Sequence, residues 1–343
     1  QAGKLLVLRS AGKSTEIHAR KFNKPMGLAV SHGKLALGTA KQIWELRNIP
    51  AVANTLDGNG KHDACYVPRS LHVTGDIDIH EMAWVTPHQK QAHKQAQGQT
   101  EGPEQLWFVN TRFSCLCTLN ANYSFVPRWR PPFVTAYEMS DRCHLNGLAL
   151  RDGQPRYVTA LGETDTPAGW RTNKASGGIL MDITTNEMVA RGLSMPHSPR
   201  WYRDQFWVLE SGRGTLAKVD VETGAVTPVV ELPGFTRGID FCGDYAFIGL
   251  SQMRESAVFS GIPLTQTLSK RVCGVWAVNI VTGEIAGFLQ FQNNIQEIFA
   301  ISVLENQRFP DVLDDQATRV NHAYVLPDEA LAEAVEIDRS QEF

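Results

Sequence analysis

The sequence lacks most of the features that assign a protein quickly. No apolar run is long enough to span a bilayer. Positive charge is not in excess: 33 Lys and Arg stand against 36 Asp and Glu, a formal net charge of -3. Binding to a nucleic-acid backbone needs a basic face, so this balance argues against nucleic acid as a partner. There is no Gly-x-Ser-x-Gly elbow, no phosphate loop and no dinucleotide fingerprint. The glycine-rich run Glu210-Ser211-Gly212-Arg213-Gly214 follows a strand-like segment without a helical pattern and reads as a turn. The six cysteines are scattered, and only Cys115 and Cys117 form a close pair. Without a second pair at zinc-site spacing, these two read as core thiols on one face of a strand. The opening Gln1-Ala2-Gly3-Lys4 has no secretory pattern. The expected location is the cytoplasm, with no membrane partner.

What the sequence does have is an internal repeat. Six segments share a polar or small start followed by an apolar or small run. They are Met26-Gly27-Leu28-Ala29-Val30, His80-Glu81-Met82-Ala83-Trp84, Asn146-Gly147-Leu148-Ala149-Leu150, His197-Ser198-Pro199-Arg200-Trp201, Arg237-Gly238-Ile239-Asp240-Phe241 and Glu297-Ile298-Phe299-Ala300-Ile301. Their starts are separated by 54, 66, 51, 40 and 60 residues, the scale of a four-stranded propeller blade. Second strands repeat as well, for example Gln205-Phe206-Trp207-Val208-Leu209 and Tyr245-Ala246-Phe247-Ile248-Gly249. The Thr-Gly turns at Gly224 and Gly283 mark hairpins further out in a blade. The expected fold is all-β: one six-bladed β-propeller over residues 1–326. N-terminal strands would complete the last blade, with a further strand over His322–Leu326. A polar loop, 88–104, interrupts blade two, and residues 327–343 form a tail or short helix.

At Arg128-Trp129-Arg130-Pro131-Pro132-Phe133 the chain resembles a family of uncharacterised bacterial proteins. The runs His144-Leu145-Asn146-Gly147-Leu148-Ala149-Leu150, Leu161-Gly162-Glu163-Thr164-Asp165 and Ser194-Met195-Pro196-His197-Ser198-Pro199-Arg200-Trp201 carry the same resemblance, which covers nearly the whole chain. It implies a propeller-like fold and brings no activity with it. Blade two departs from the family pattern, with a longer loop after Trp84 and Glu81 where Asp is frequent.

Aligning the repeats sets Met26, His80, Asn146, His197, Arg237 and Glu297 around one mouth of the channel. His144, two residues before Asn146, shares its side of the strand. His80, His144 and His197 are candidate ligands for Zn, Fe or Cu; calcium would call for oxygen donors. Arg237 would hold a substrate carboxylate or phosphate, and Glu297 would serve as general base or fourth ligand. Asn146, Glu163, Glu210, Arg213, Ser251 and Gln252 are candidate substrate contacts. This set predicts a metal-dependent enzyme of the lyase, hydrolase or oxygenase type, acting on a small polar, anionic or peptide substrate. Two other readings use the same residues. One is a hydrogen-bonded polar ring with Arg237 and Glu297 as a structural ion pair. The other is a non-catalytic propeller that senses a ligand or engages a protein partner through its rim.

Overall fold

A computed structural model describes residues 3–57, 60–86, 103–252, 260–292 and 295–332 of the chain. An N-terminal hairpin pairs β1 (Lys4–Ser10) with β2 (Thr15–Lys21). Blade one contains β3 (Leu28–Ser31), β4 (Lys34–Gly38), β5 (Gln42–Asn48) and β6 (Ala64–Val73). Blade two contains β7 (Ile79–Val85), β8 (Gln105–Asn110), β9 (Cys115–Asn120) and β10 (Tyr123–Trp129). Blade three runs β11 (Leu145–Arg151), β12 (Gln154–Ala160), β13 (Gly178–Asp182) and β14 (Met188–Leu193). Blade four runs β15 (Pro196–Tyr202), β16 (Gln205–Glu210), β17 (Thr215–Val219) and β18 (Val226–Glu231). Blade five is β19 (Phe235–Cys242), β20 (Tyr245–Ser251), β21 (Cys273–Asn279) and β22 (Ile285–Phe291). Within each blade the strands are consecutive antiparallel neighbours. The short β23 (Pro310–Val312) adds in parallel to β6 at the outer edge of blade one.

The structure is therefore an all-β propeller of five blades, not six. The expectation failed at the sixth repeat. Glu297–Ile301 has the composition of an inner strand but pairs with no second strand among the described residues, and β1 and β2 form a sheet of their own. The strand expected over His322–Leu326 is also absent, since a 3-10 turn covers Thr318–His322. A short helix, Asp328–Ala332, stands where the tail was expected to turn helical. The greater part of the polar loop 88–104, with His88 and His93, lies outside the described residues. No helix among the described residues is long and apolar enough to cross a membrane.

The core lies between blades, because each sheet is apolar on both faces. Trp207, Leu209 and Leu216 of blade four pack on Ile239, Phe241, Ile248 and Trp276 of blade five. Val109 and Leu116 of blade two pack on Leu145, Leu148 and Val158 of blade three. Cys115 and Cys117 are fully buried between blades one and two, with Sγ atoms 3.5 Å apart, as core thiols should be. Gly147 permits a close approach between blades three and four. A Cβ there would lie 2.1 Å from Thr159 Oγ1 and 2.4 Å from Pro199 Cδ, so any side chain would push blade four away.

One ion pair crosses the axis. Glu81 on β7 and Arg200 on β15 belong to blades two and four, yet Arg200 Nη2 donates to Glu81 Oε1 at 2.8 Å. Glu81 is buried, and a buried charge without its partner is strongly unfavourable. Glu81→Gln should lower unfolding stability by about 3 kcal/mol, read as a reduced urea midpoint at unchanged slope.

Candidate functional site

The inner strands β3, β7, β11, β15 and β19 all start at the same mouth of the channel, and in four of them the pairing register shifts near that start. The irregularities fall between Ile79 and Met82, Leu145 and Gly147, His197 and Arg200, and Thr236 and Ile239. A bulge re-aims side chains and bends its strand. Two residues before His80, Asn146 and His197 the backbone enters the left-handed region: Asp78 at φ 49°, His144 at φ 52° and Met195 at φ 46°. Such a conformation in non-glycine residues is held only by surrounding contacts and concentrates at functional sites. His144 therefore occupies the turn position that Asp78 and Met195 hold in the blades on either side.

Hydrogen bonds fix the histidine tautomers. His80 Nδ1 lies 2.8 Å from Asp78 O and 2.8 Å from Thr111 Oγ1, whose own proton goes to Leu145 O at 2.7 Å. His197 Nδ1 lies 2.9 Å from Met195 O and 2.9 Å from Ser211 Oγ, which donates to Thr236 O at 2.5 Å. A carbonyl only accepts, so in both rings Nδ1 carries the hydrogen and Nε2 keeps a lone pair. His144 Nδ1 faces Asp141 Oδ2 at 2.9 Å, and Trp170 Nε1 donates to the same oxygen at 3.0 Å. None of the three Nε2 atoms bonds to another described residue. The His80 and His144 rings meet edge to face, with centroids 5.0 Å apart.

Arg237 is the cation of the site. Its guanidinium sits 4.0 Å above the Phe299 ring and donates no hydrogen bond to any described residue. Burial pushes it down to about 10, while the charges of Asp78, Glu297 and Glu81 act in the opposite direction. Burial, then Arg237 and His144, push His80 down to about 3. Burial, then Arg237, His80 and His144, hold His197 well below its ordinary value. Burial would raise Asp78, but the charge of His80 and a 2.8 Å ion pair with Lys24 outweigh it and hold the carboxyl below its usual range. At neutral pH the mouth thus combines one guanidinium, neutral His80 and His197, and an ionised Asp78.

The structure brings His80, His144, His197, Arg237 and Glu297 into one electrostatic neighbourhood. It does not bring three metal-ligating groups together: among the described residues no three His, Cys, Asp or Glu side chains could hold an ion. Nor are Arg237 and Glu297 in ion-pair contact. The expected substrate contacts divide. Asn146 is buried, with both amide atoms engaged: Nδ2 donates to Pro196 O at 2.9 Å, and Oδ1 accepts from Thr159 Oγ1 at 2.9 Å. Ser251 Oγ donates to Ile298 O at 3.1 Å and accepts from Ile298 N at 2.9 Å. Glu210 accepts from Ser194 N and from the exposed Arg213. Glu163 pairs with Arg191 on the rim, and Gln252 is exposed. Asp78, Asp141, Thr111 and Ser211 were missed. Their signal was in the sequence, as polar residues two or three positions before a site histidine or at the end of a second strand.

Fold and site together define a β-propeller with a histidine- and arginine-lined channel mouth. The chain belongs to the family described as "Domain of unknown function (DUF4915)", which matches residues 1–313. No curated protein matches it. It is similar to a chain in the crystal structure of a nidogen–laminin complex, at 9% identity and a TM-score of 0.49, over 83% of this chain and 89% of that one. It is also similar to a provisional TolB from Agrobacterium tumefaciens, at 10% identity and a TM-score of 0.48, over 87% of this chain and 92% of that one.

The depressed histidines have a consequence for stability. Both take up protons more readily when unfolded than when folded, so stability falls as the pH drops below 6.5. Each contributes up to about 1.4 kcal/mol per pH unit, and for His80 the loss continues towards pH 3. His197→Gln should flatten the slope between pH 6.5 and 4.5 by that amount, measured by urea unfolding across the window.

Proposed function

We propose that the channel mouth binds a small anion, a carboxylate or phosphate that also carries hydroxyl groups. The observation that carries this reading is Arg237: a half-buried guanidinium whose N–H donors meet no acceptor among the described residues. A planar fork of this kind suits a carboxylate or phosphate edge. The Nε2 lone pairs of His80 and His197 would accept from hydroxyls on the same ligand. With its value near 3, His80 is a weak base at neutral pH and serves as an acceptor rather than a proton acceptor in catalysis.

A second reading, a metal-dependent lyase, hydrolase or oxygenase, rests on a separate observation. All three histidines have Nδ1 anchored on an oxygen, the outer-shell arrangement typical of metal-bound imidazole. It requires the rings to close on a Zn, Fe or Cu ion, with Glu297 beside them as base.

Titration calorimetry with malate, citrate and inorganic phosphate tests the first reading. Arg237→Gln should weaken any binding roughly 10- to 100-fold, the worth of hydrogen bonds to a charged group. Unchanged affinity in that variant would refute it. Elemental analysis of the native protein beside His80→Ala, His144→Ala and His197→Ala tests the second. Near-stoichiometric metal lost in all three supports it, and no metal after reconstitution removes it.

A further inference from the structure

Strand β2 docks on the rest of the molecule by its ionisable side. Its inward residues are Glu16, His18 and Arg20, whereas Ile17 and Ala19 face solvent, with Ile17 45% exposed. Strand β1 turns Leu5, Val7 and Arg9 inward. The docked face of the hairpin is therefore apolar at Leu5 and Val7 and charged along β2 and at Arg9. The hairpin pairs with no blade strand. Val7 and Phe22 pack on Leu35, Leu37 and Tyr66 of blade one, and the Ser10 N–H donates to Arg308 O at 2.9 Å. The rest of the attachment is a polar cluster at the outer edge of blade one.

Arg9 is the centre of that cluster, buried and 4.4 Å over the Phe309 ring. Its Nη1 lies 3.2 Å from His62 Nε2, and its Nη2 lies 3.4 Å from His18 Nδ1. A guanidinium only donates, so both imidazoles accept from it and both are neutral in this arrangement. Their hydrogens then sit on the opposite nitrogens. His18 Nε2 is 3.4 Å from Asp311 Oδ1, and His62 Nδ1 is 3.3 Å from Asp57 Oδ2. An imidazolium has no lone pair. Protonating either ring would set donor against donor and cation against cation at Arg9.

The surrounding charges give little relief. Among the described residues those facing the cluster are Glu16 and Arg20 of β2, Asp311 of β23, and Asp57 and Lys61 between β5 and β6. Arg20 already bonds Asp311 Oδ1 at 3.3 Å, and Lys61 bonds Glu16 at 3.2 Å. Burial, then the charge of Asp311, pushes the Cys65 thiol up to about 12, so it adds no negative charge. Burial holds His18 below its ordinary value; Asp311 opposes this, and Arg20, Arg9 and His62 add to it.

We propose that this cluster is a proton-operated latch, which docks the hairpin on blade one while His18 and His62 are neutral and releases it when they are protonated. Release would remove Leu5, Leu6 and Val7 from the wall of the apolar cavity of about 880 Å³ that β1 helps to enclose. The latch is independent of any ligand at Arg237.

A two-stranded hairpin on its own is marginally stable in water, so release exposes its cross-strand amides to exchange. The test is hydrogen exchange of the full chain by mass spectrometry at pH 7.5 and 5.5, corrected for intrinsic exchange rates. A proton taken up on opening favours the open form by about tenfold per pH unit. For His18 that gain begins below 6.5. Peptides within residues 4–21 should therefore lose protection by about tenfold or more at pH 5.5, while blades three and four remain protected over the same exchange times. His18→Asn combined with His62→Gln keeps an acceptor for Arg9 at each site and takes up no proton in this range. In that variant the hairpin should hold its pH 7.5 protection at both pH values. His18→Asn alone should remove about tenfold of the response, which keeps the test open if the double variant does not fold. Three results would overturn the proposal: equal hairpin protection at both pH values, hairpin exchange only in step with the blades, or an acid response that persists unchanged in the folded variants.

Discussion

The structure depends on a belt of hydrogen bonds that ties the inner strands of blades two to five to one another at one mouth of the channel. Thr111 reaches from blade two to Leu145 O, Asn146 from blade three to Pro196 O, and Ser211 from blade four to Thr236 O. Ser251 extends the belt from blade five to Ile298. All these groups are buried or nearly so, where an unmade hydrogen bond is costly. The belt sets the spacing of the blades and, through Thr111 and Ser211, also dictates which nitrogen of His80 and His197 carries the proton. Scaffold and site chemistry are thus set by the same hydroxyls.

Around this belt the charges are arranged so that His80 and His197 stay neutral. Arg237 disfavours a second positive charge nearby, and burial acts in the same direction. The carboxylates of Asp78, Glu81 and Glu297 partly offset the cation. The mouth therefore offers donors and lone pairs side by side, a pattern suited to a ligand with both anionic and hydroxyl groups.

Much of this was legible in the sequence. The starts of blades two to five and their second strands could be placed because period-two apolar runs bounded by turn residues report strands directly. The convergence of His80, His144, His197 and Arg237 followed from aligning those starts. The blade count did not follow. Ile298, Phe299 and Ile301 have the composition of an inner strand, but composition says nothing about whether a second strand lies alongside. The bulges were hidden too, since a shift in register depends on both strands of a pair. Asn146 and Ser251 looked like ligand contacts because small polar residues at a channel mouth serve blade-to-blade bonding and ligand binding equally well. Only the geometry of Pro196 and Ile298 decides between the two.

The ion pair across the axis gives Glu81 two neighbours of opposite sign. It bonds Arg200, whose side chain lines the cavity of about 650 Å³ at the far end, and its field also reaches Arg237 at the mouth. One carboxylate thus serves as counter-ion to both ends of the channel. An anion arriving at Arg237 would take over part of that duty and leave Glu81 more fully to Arg200. The two ends of the channel therefore share one counter-ion, and the charge of Glu81 sets part of the electrostatic field at each guanidinium.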